Sequence, residues 1–405
     1  MIPKLRFPGF SEEWETKKLG DVANLTSSKR VYLSDYVYSG IPFYRGKEIT
    51  ELKKNIIPDD ILYITKDAYE RFRSKFGAPQ KNEILITAVG TLGNILRVKD
   101  DEPFYFKDGN LIWLRDITED PYFLEIILEK SKPELLKSAI GSSQQALTIA
   151  GLGKVKIRLP KQDEQEKIAG FLTVVDERIA AMDRKVELLQ QYKKGVIQKI
   201  FTQQLRFKDE NGKDYPAWQT KKLGEVFDGA KGSGLSWNNV SHDGKNKCIL
   251  YGELYTKYPE RISVVLSRTN INEGVTSKKN DLLLPCSTTT TGIDLANATA
   301  LDEGGILLGG DISILRFKGG GSNTFYAYYL SHFMKNKLAA YGQGSTIVHM
   351  YYSHYKNMQI IEPSTKEQQK IADFLTNLDD KINLEKTKLE QAKQFKKSLL
   401  QRMFA

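Results

Sequence analysis

DEQEKIAGFLTVVDERI, Asp163 to Ile179, and KEQQKIADFLTNLDDKI, Lys366 to Ile382, are one pattern written twice at an offset of 203 residues. From each copy an apolar stripe runs on in steps of four and three. The first stripe is Ile168, Leu172, Val175, Ile179, Met182, Val186, Leu189, Lys193, Val196 and Ile200. The second is Ile371, Leu375, Leu378, Ile382, Glu385, Leu389, Ala392, Lys396, Leu399 and Met403. A stripe at that spacing predicts a long helix with a coiled-coil seam, so the two helices are expected to pair with each other. A helical hairpin on each part's own core would use the same spacing, and it stays open. Lys193 answers Lys396 as a polar interruption, and Glu385 stands where the first copy has Met182. Such residues lower the stability of a seam but can fix its register. About forty helical residues at about 1.5 Å each make a rod of about 60 Å.

The duplication extends outward from these helices. WETKKLGDV from Trp14 recurs as WQTKKLGEV from Trp218, and LRF at Leu5 to Phe7 recurs at Leu205 to Phe207. GNLIWLR from Gly109 answers GDISILR from Gly310, and KNEILI from Lys81 answers KNDLLL from Lys279. Between these anchors the likeness fades. Two copies that keep a frame and vary its middle are expected to keep a scaffold and vary a surface.

Pro160 and Pro363 precede the two helices, each followed by a polar stretch suited to a helix start, and Asn211-Gly212 reads as the turn after the first. The organisation read from this is a first globular domain at 1–160, a helix at 161–203, a second domain at 204–362 and a helix at 363–405. Within the domains, runs such as ILITAV, LIWLR and ISILRF read as strands, and PYFLEIILEK and NTFYAYYLSHF as helices. Each domain is therefore of mixed α/β (α+β) class.

The chain has 405 residues, with 60 Lys and Arg against 50 Asp and Glu, a formal charge of +10 that favours a polyanionic partner. No run approaches the length needed to span a bilayer, there is no basic amphipathic helix or lipidation motif, and the protein is expected to be cytoplasmic. Cys248 and Cys286 lie far apart with no ligand spacing and are expected to be packing residues. There is no phosphate-loop or dinucleotide fingerprint, no HExxH around His349 and His354, no Pro-Pro pair of a DNA methyltransferase motif, and no nuclease spacing shared by both halves. All four histidines, His242, His332, His349 and His354, fall in the second half, so none serves a chemistry common to both copies.

What the loops offer instead is hydrogen-bond donors. In the first half these are Ser28, Lys29 and Arg30, then Arg45 and Lys47, then Ser143, Gln144 and Gln145. In the second they are Lys231, Lys278 and Lys279, Thr288 and Thr289 within a hydroxyl run, and Gln343, Ser345 and His349. Loops bearing Lys and Arg bind phosphate, while Gln, Asn and Arg read base edges. This reading points to a two-headed DNA binder. A catalytic DNA enzyme with a cryptic site, and a coiled-coil adaptor that binds no DNA, stand beside it.

LRFPGFSEEWETKKLGDV at the start, its echo before Lys222, and the EQxKIAxFLxxxDxxI helices together resemble the specificity subunit of type I restriction-modification systems, over essentially the whole chain. The resemblance implies two target-recognition domains that each read half of a split, asymmetric DNA sequence. It implies helices that pair antiparallel to set the gap, two methyltransferase subunits docked around them, and endonuclease and translocase subunits that join later. It also implies a non-catalytic chain with no cofactor of its own, S-adenosylmethionine, ATP and magnesium being held by the partners.

Overall fold

The computed structural model describes residues 3–142 and 144–404. Its compact units do not follow the linear order of domains and helices. One is Met1–Ala181 with Leu389–Ala405, and the other is Met182–Lys388. Each unit holds one head, the opening part of the long helix that follows that head, and the closing part of the other long helix. The long helices themselves are Gln162–Phe201 and Thr365–Met403.

In the first unit, Glu15–Lys18 pairs antiparallel with Lys156–Leu159, which ties the start of the head to its end. One four-stranded sheet runs in the order Asn24–Thr26, Leu111–Arg115, Ile84–Thr87, Ile95–Arg97. A second runs Tyr36–Val37, Leu62–Ile64, Ile41–Tyr44, Tyr105–Phe106, with only the last pair parallel. The helix Pro121–Lys130 starts where the Asp120 carboxylate accepts from the Phe123 N–H, with proline at its first position, and lays Phe123, Leu124 and Ile127 on the first sheet. Ile168 and Leu172 of the first long helix enter this core, and so do Leu399 and Met403 of the second.

The second unit repeats the plan. Gln219–Lys222 closes against Gln359–Glu362, and a five-stranded sheet runs Phe227–Lys231, Ile312–Phe317, Asp281–Pro285, Thr299–Leu301, Arg261–Ile262. A three-stranded sheet has one antiparallel and one parallel pair. Ile371 and Leu375 enter the core from the near helix, and Val196, Ile197, Ile200 and Phe201 from the far one. The strands KNEILI and KNDLLL, and LIWLR and ISILR, hold matching central places in the two main sheets. That is why these segments kept their likeness: a strand flanked on both sides and covered by a helix has little freedom to change.

The most alike segments are alike because they touch. Glu164, buried at the head of the first long helix, receives both the Nε and an Nη of Arg6 at 2.7 Å. Glu367 receives Arg206 at 3.1 and 2.8 Å and the Trp218 indole N–H at 2.8 Å. The neighbouring glutamine does the rest of the joining. Gln165 accepts from the Asp120 N–H and donates to the Pro160 carbonyl, while Gln368 accepts from the Ser322 N–H and donates to the Pro363 carbonyl. The EQ of the repeat is thus a clamp between the LRF segment, the helix start and the first turn of the head's own helix.

In the second unit, Lys185 lies 3.1 Å from Glu385 and Lys193 2.7 Å from Asp379, so the two helix segments run antiparallel. In the first, Lys396 lies 2.5 Å from Asp176, while Leu399 and Met403 share a core with Leu172 and Ile168, in the same antiparallel sense. The polar positions in the seam are therefore paired with the opposite helix. Lys185 and Lys388 hold the Glu385 carboxyl below its ordinary range.

Lys193 also approaches Glu260, which His332 meets through Nε2. Burial alone would raise the Glu260 carboxyl, but the His332 hydrogen bond and the Lys193 charge outweigh it and hold it at about 2, against an ordinary 4.5. A carboxyl lowered on folding stabilises in full above its unfolded value, and that contribution is lost as the pH falls through its folded value. Acid titration from pH about 4.5 to about 2 should remove on the order of 3 kcal/mol from the second unit, and Glu260→Gln should flatten that part of the profile when stability is measured against pH. Leu399→Ala should cost about 2–5 kcal/mol. By hydrogen exchange the loss of protection should fall on Ile84–Thr87 and Leu111–Arg115 rather than on Asp281–Pro285.

Candidate nucleic-acid interface

Near the end of each head a tight hairpin stands out at matching places. In the first, Ile140 and Ala146 exchange two backbone hydrogen bonds of 2.9 Å around the tip 141–145. In the second, Gln343 and His349 exchange bonds of 2.8 and 2.7 Å around the tip 344–348, again 203 residues on. Each tip opens with a glycine in the left-handed region, Gly141 at φ +104° and Gly344 at φ +118°. A Cβ would meet the Gln144 carbonyl oxygen at 2.4 Å in the first and that of Ile347 at 2.0 Å in the second, so both turns require glycine. The closing bond pair and the leading glycine are common to the two heads. The side chains of the tip are not: the first presents Gln144 and Gln145 to solvent, with Ser143 outside the described residues, and the second presents Ser345, Thr346 and Ile347.

The second hairpin sits in a polar cluster drawn from four separate segments. His349 and Val348 pair with Ser287 and Thr288. The Ser287 hydroxyl donates to Asp311 at 2.9 Å, and Lys231 lies 3.0 Å from the same carboxylate and 4.8 Å over the Tyr351 ring. His349 stacks on Tyr351 with ring centroids 5.6 Å apart, its Nδ1 3.1 Å from the Tyr351 hydroxyl. Burial works to raise the Asp311 carboxyl, but the hydrogen bonds from Lys231 and Ser287 win and lower it. The same pair raises Lys231. Lys231 thus stays cationic with half its side chain exposed, beside an aromatic face and a hydrogen-bonding hairpin.

Of the candidates in the second half, Lys231 and His349 come together at Tyr351, Gln343 is bonded to the His349 backbone, and Ser345 at the tip and Thr289 are exposed. Thr288 is buried and bonded to Thr290 at 2.8 Å. Lys278 and Lys279 lie elsewhere; the Lys278 N–H donates to Asp281, and both side chains are exposed at another edge of the head. In the first half, Lys29 and Arg30 are exposed, over the rings of Phe76 at 5.6 Å and Tyr32 at 5.9 Å. Ser28 turns inward and donates to the Phe106 carbonyl at 2.6 Å. Arg45 is occupied by the fully buried Glu48 and by Asp60, and Lys47 lies within 4 Å of Glu51 and Asp59. Asp311 and Tyr351 escaped sequence reasoning. Asp311 left a signal, because it answers Asn110 in the repeated strand, whereas Tyr351 left none.

The model of the type I restriction modification DNA specificity domain matches residues 11–191 and again 216–394. The chain belongs to that family. Its two specificity domains each span a head and most of the helix after it. The putative type I restriction enzyme MjaX specificity subunit of Methanocaldococcus jannaschii is 21% identical over 407 residues, covering 96% of this chain and 92% of the relative. A putative type I restriction enzyme specificity subunit of Haemophilus influenzae is 33% identical over 160 residues, 38% of each chain. Among solved structures, the S subunit of a type I restriction-modification system from M. genitalium superposes with a TM-score of 0.60 at 18% identity, over 100% of this chain and 99% of that one. That likeness shows the fold of a specificity subunit. No helix among the described residues is long and apolar enough to cross a membrane.

Lys231→Ala should weaken duplex binding about equally for all sequences and lower the slope of log affinity against log salt by about 1. Gln145→Ala should instead relax preference at one base pair by about 1–3 kcal/mol, readable by titrating single-mismatch duplexes.

Proposed function

We propose that this specificity subunit reads a two-part, asymmetric duplex sequence, one part with each head, and that its helix segments set the gap between the parts. The observation that supports this most is the paired hairpins: the same closing bonds and the same obligatory glycine at matching places, with unlike exposed side chains. A dimer of identical readers would face a palindrome. Two unlike tips on one frame face two unlike sequences. The +10 charge supplies attraction to the phosphate backbone, which positions the heads without choosing a sequence.

On this reading the chain performs no chemistry and directs that of others. The curated relatives it matches along most of its length are named as specificity subunits. The outward faces of the long helices, polar along most of their length, are proposed to dock two methyltransferase subunits, with endonuclease and translocase subunits joining afterwards. S-adenosylmethionine, ATP and magnesium are then cofactors of those partners, and adenine methylation and restriction are their activities.

Two weak readers joined by a frame bind tightly only where the spacing of the two parts fits. Inserting or removing one base pair in the gap, with both parts intact, should lower affinity by about tenfold or more in a duplex titration. Equal affinity for all gaps would overturn the two-headed reading.

A further inference from the structure

One carboxylate in each unit is shared by three elements. In the first unit, Asp176 of the first long helix accepts from the hydroxyl of Tyr122, on the head's helix, and pairs with Lys396 of the second long helix at 2.5 Å. Lys396 also reaches the Tyr122 hydroxyl at 3.4 Å. In the second unit, Asp379 of the second long helix accepts from Tyr328 at 2.5 Å and pairs with Lys193 of the first at 2.7 Å, and that ammonium lies 5.1 Å from the Tyr328 ring. Asp176 and Asp379, and Lys193 and Lys396, are each 203 residues apart.

The tyrosines are not equivalent. Counted from the helix caps Asp120 and Ser322, Tyr122 stands two residues on and Tyr328 six, about one helical turn further. The same anchor has been reached from two different turns, which shared descent of the position does not explain and a common task does. Burial, and then the hydrogen bond to aspartate, push both phenols well up, so they remain donors. Lys193 is 14% exposed and Asp379 23%, so water screens that pair less than a surface ion pair, while Lys396 at 26% and Asp176 at 38% form a more open pair.

We propose that these two Tyr–Asp–Lys clusters are positioning sites that seat each head on its helix pair and so define which spacing between half-sites the protein accepts. An apolar seam alone resists slippage weakly, because a shift by one repeat brings leucine onto leucine. A charged pair within the seam pins the register. A phenol from the head on the same carboxylate pins the head to that register as well. Slip of one helix by a turn, about 5.4 Å, or rotation of the head about its helix, breaks all three contacts together.

The inference rests on the two-part reading above, and the test separates the two. The full chain is used to select duplexes from a random-sequence pool, and wild type should return two sequence blocks at one spacing. No two-part sequence from wild type overturns the two-part reading and this inference with it. With Tyr122→Phe/Asp176→Asn the same blocks should return at two or more spacings, the penalty for a one-base-pair change of gap falling from about tenfold to under about threefold. Return of the same blocks at the single wild-type spacing overturns the proposal while leaving the two-part reading intact. If that variant selects nothing, the charge exchange Asp176→Lys/Lys396→Asp decides. The first cluster suits the exchange because an aspartate at Lys193 would face Glu260 at close range. Recovery of a single spacing supports the proposal, and an exchanged protein that is folded by circular dichroism yet selects no single spacing overturns it.

Discussion

Each long helix has to satisfy two cores with one apolar stripe. Ile168 and Leu172 complete the core of the first head, and towards the other end of the same helix Val196, Ile197, Ile200 and Phe201 complete that of the second. The other helix does the reverse, with Ile371 and Leu375 in the second core and Leu399 and Met403 in the first. The first core draws on two separated stretches of the chain, whereas the second is built from one unbroken stretch, Met182–Lys388, that takes in part of both helices. The chain is in this sense two units that each include part of both long helices, rather than four segments in a line.

That constraint accounts for what the repeat preserved. The Glu of the EQ pair is buried and needs Arg6 or Arg206 beside it, because a buried carboxylate without a partner is severely destabilising. The Gln ties the helix to the first turn of the head's own helix, and the TKK strands close the head against its last strand. These segments are held by contacts to one another, so a change in one is felt by the rest. The exposed side chains of the hairpin tips make no such demand. Conservation of frame and divergence of tip follow from packing before any selection for sequence reading is considered.

The duplication, the long helices, the strand assignments of the shared segments and the family were all legible in the sequence, because each leaves a periodic or repeated trace. The division into units was not, since a stripe at heptad spacing looks the same whether it faces another helix or a distant head. The role of Arg45 was hidden for a related reason. A cation in a loop is read as available until the buried Glu48 it neutralises is seen. Lys231 and His349 were legible as donors, but their meeting around Asp311 and Tyr351 depends on four segments brought together only by the fold.

We propose that a common frame presents interchangeable reading tips. Exchange of the tip is therefore the most direct test: residues 141–145 are replaced by the sequence of residues 344–348, and the duplexes bound by the parent and the exchanged chain are sequenced. One of the two sequence blocks should change while the other block and the spacing between them stay as they were. Alteration of both blocks, or of neither, would contradict it.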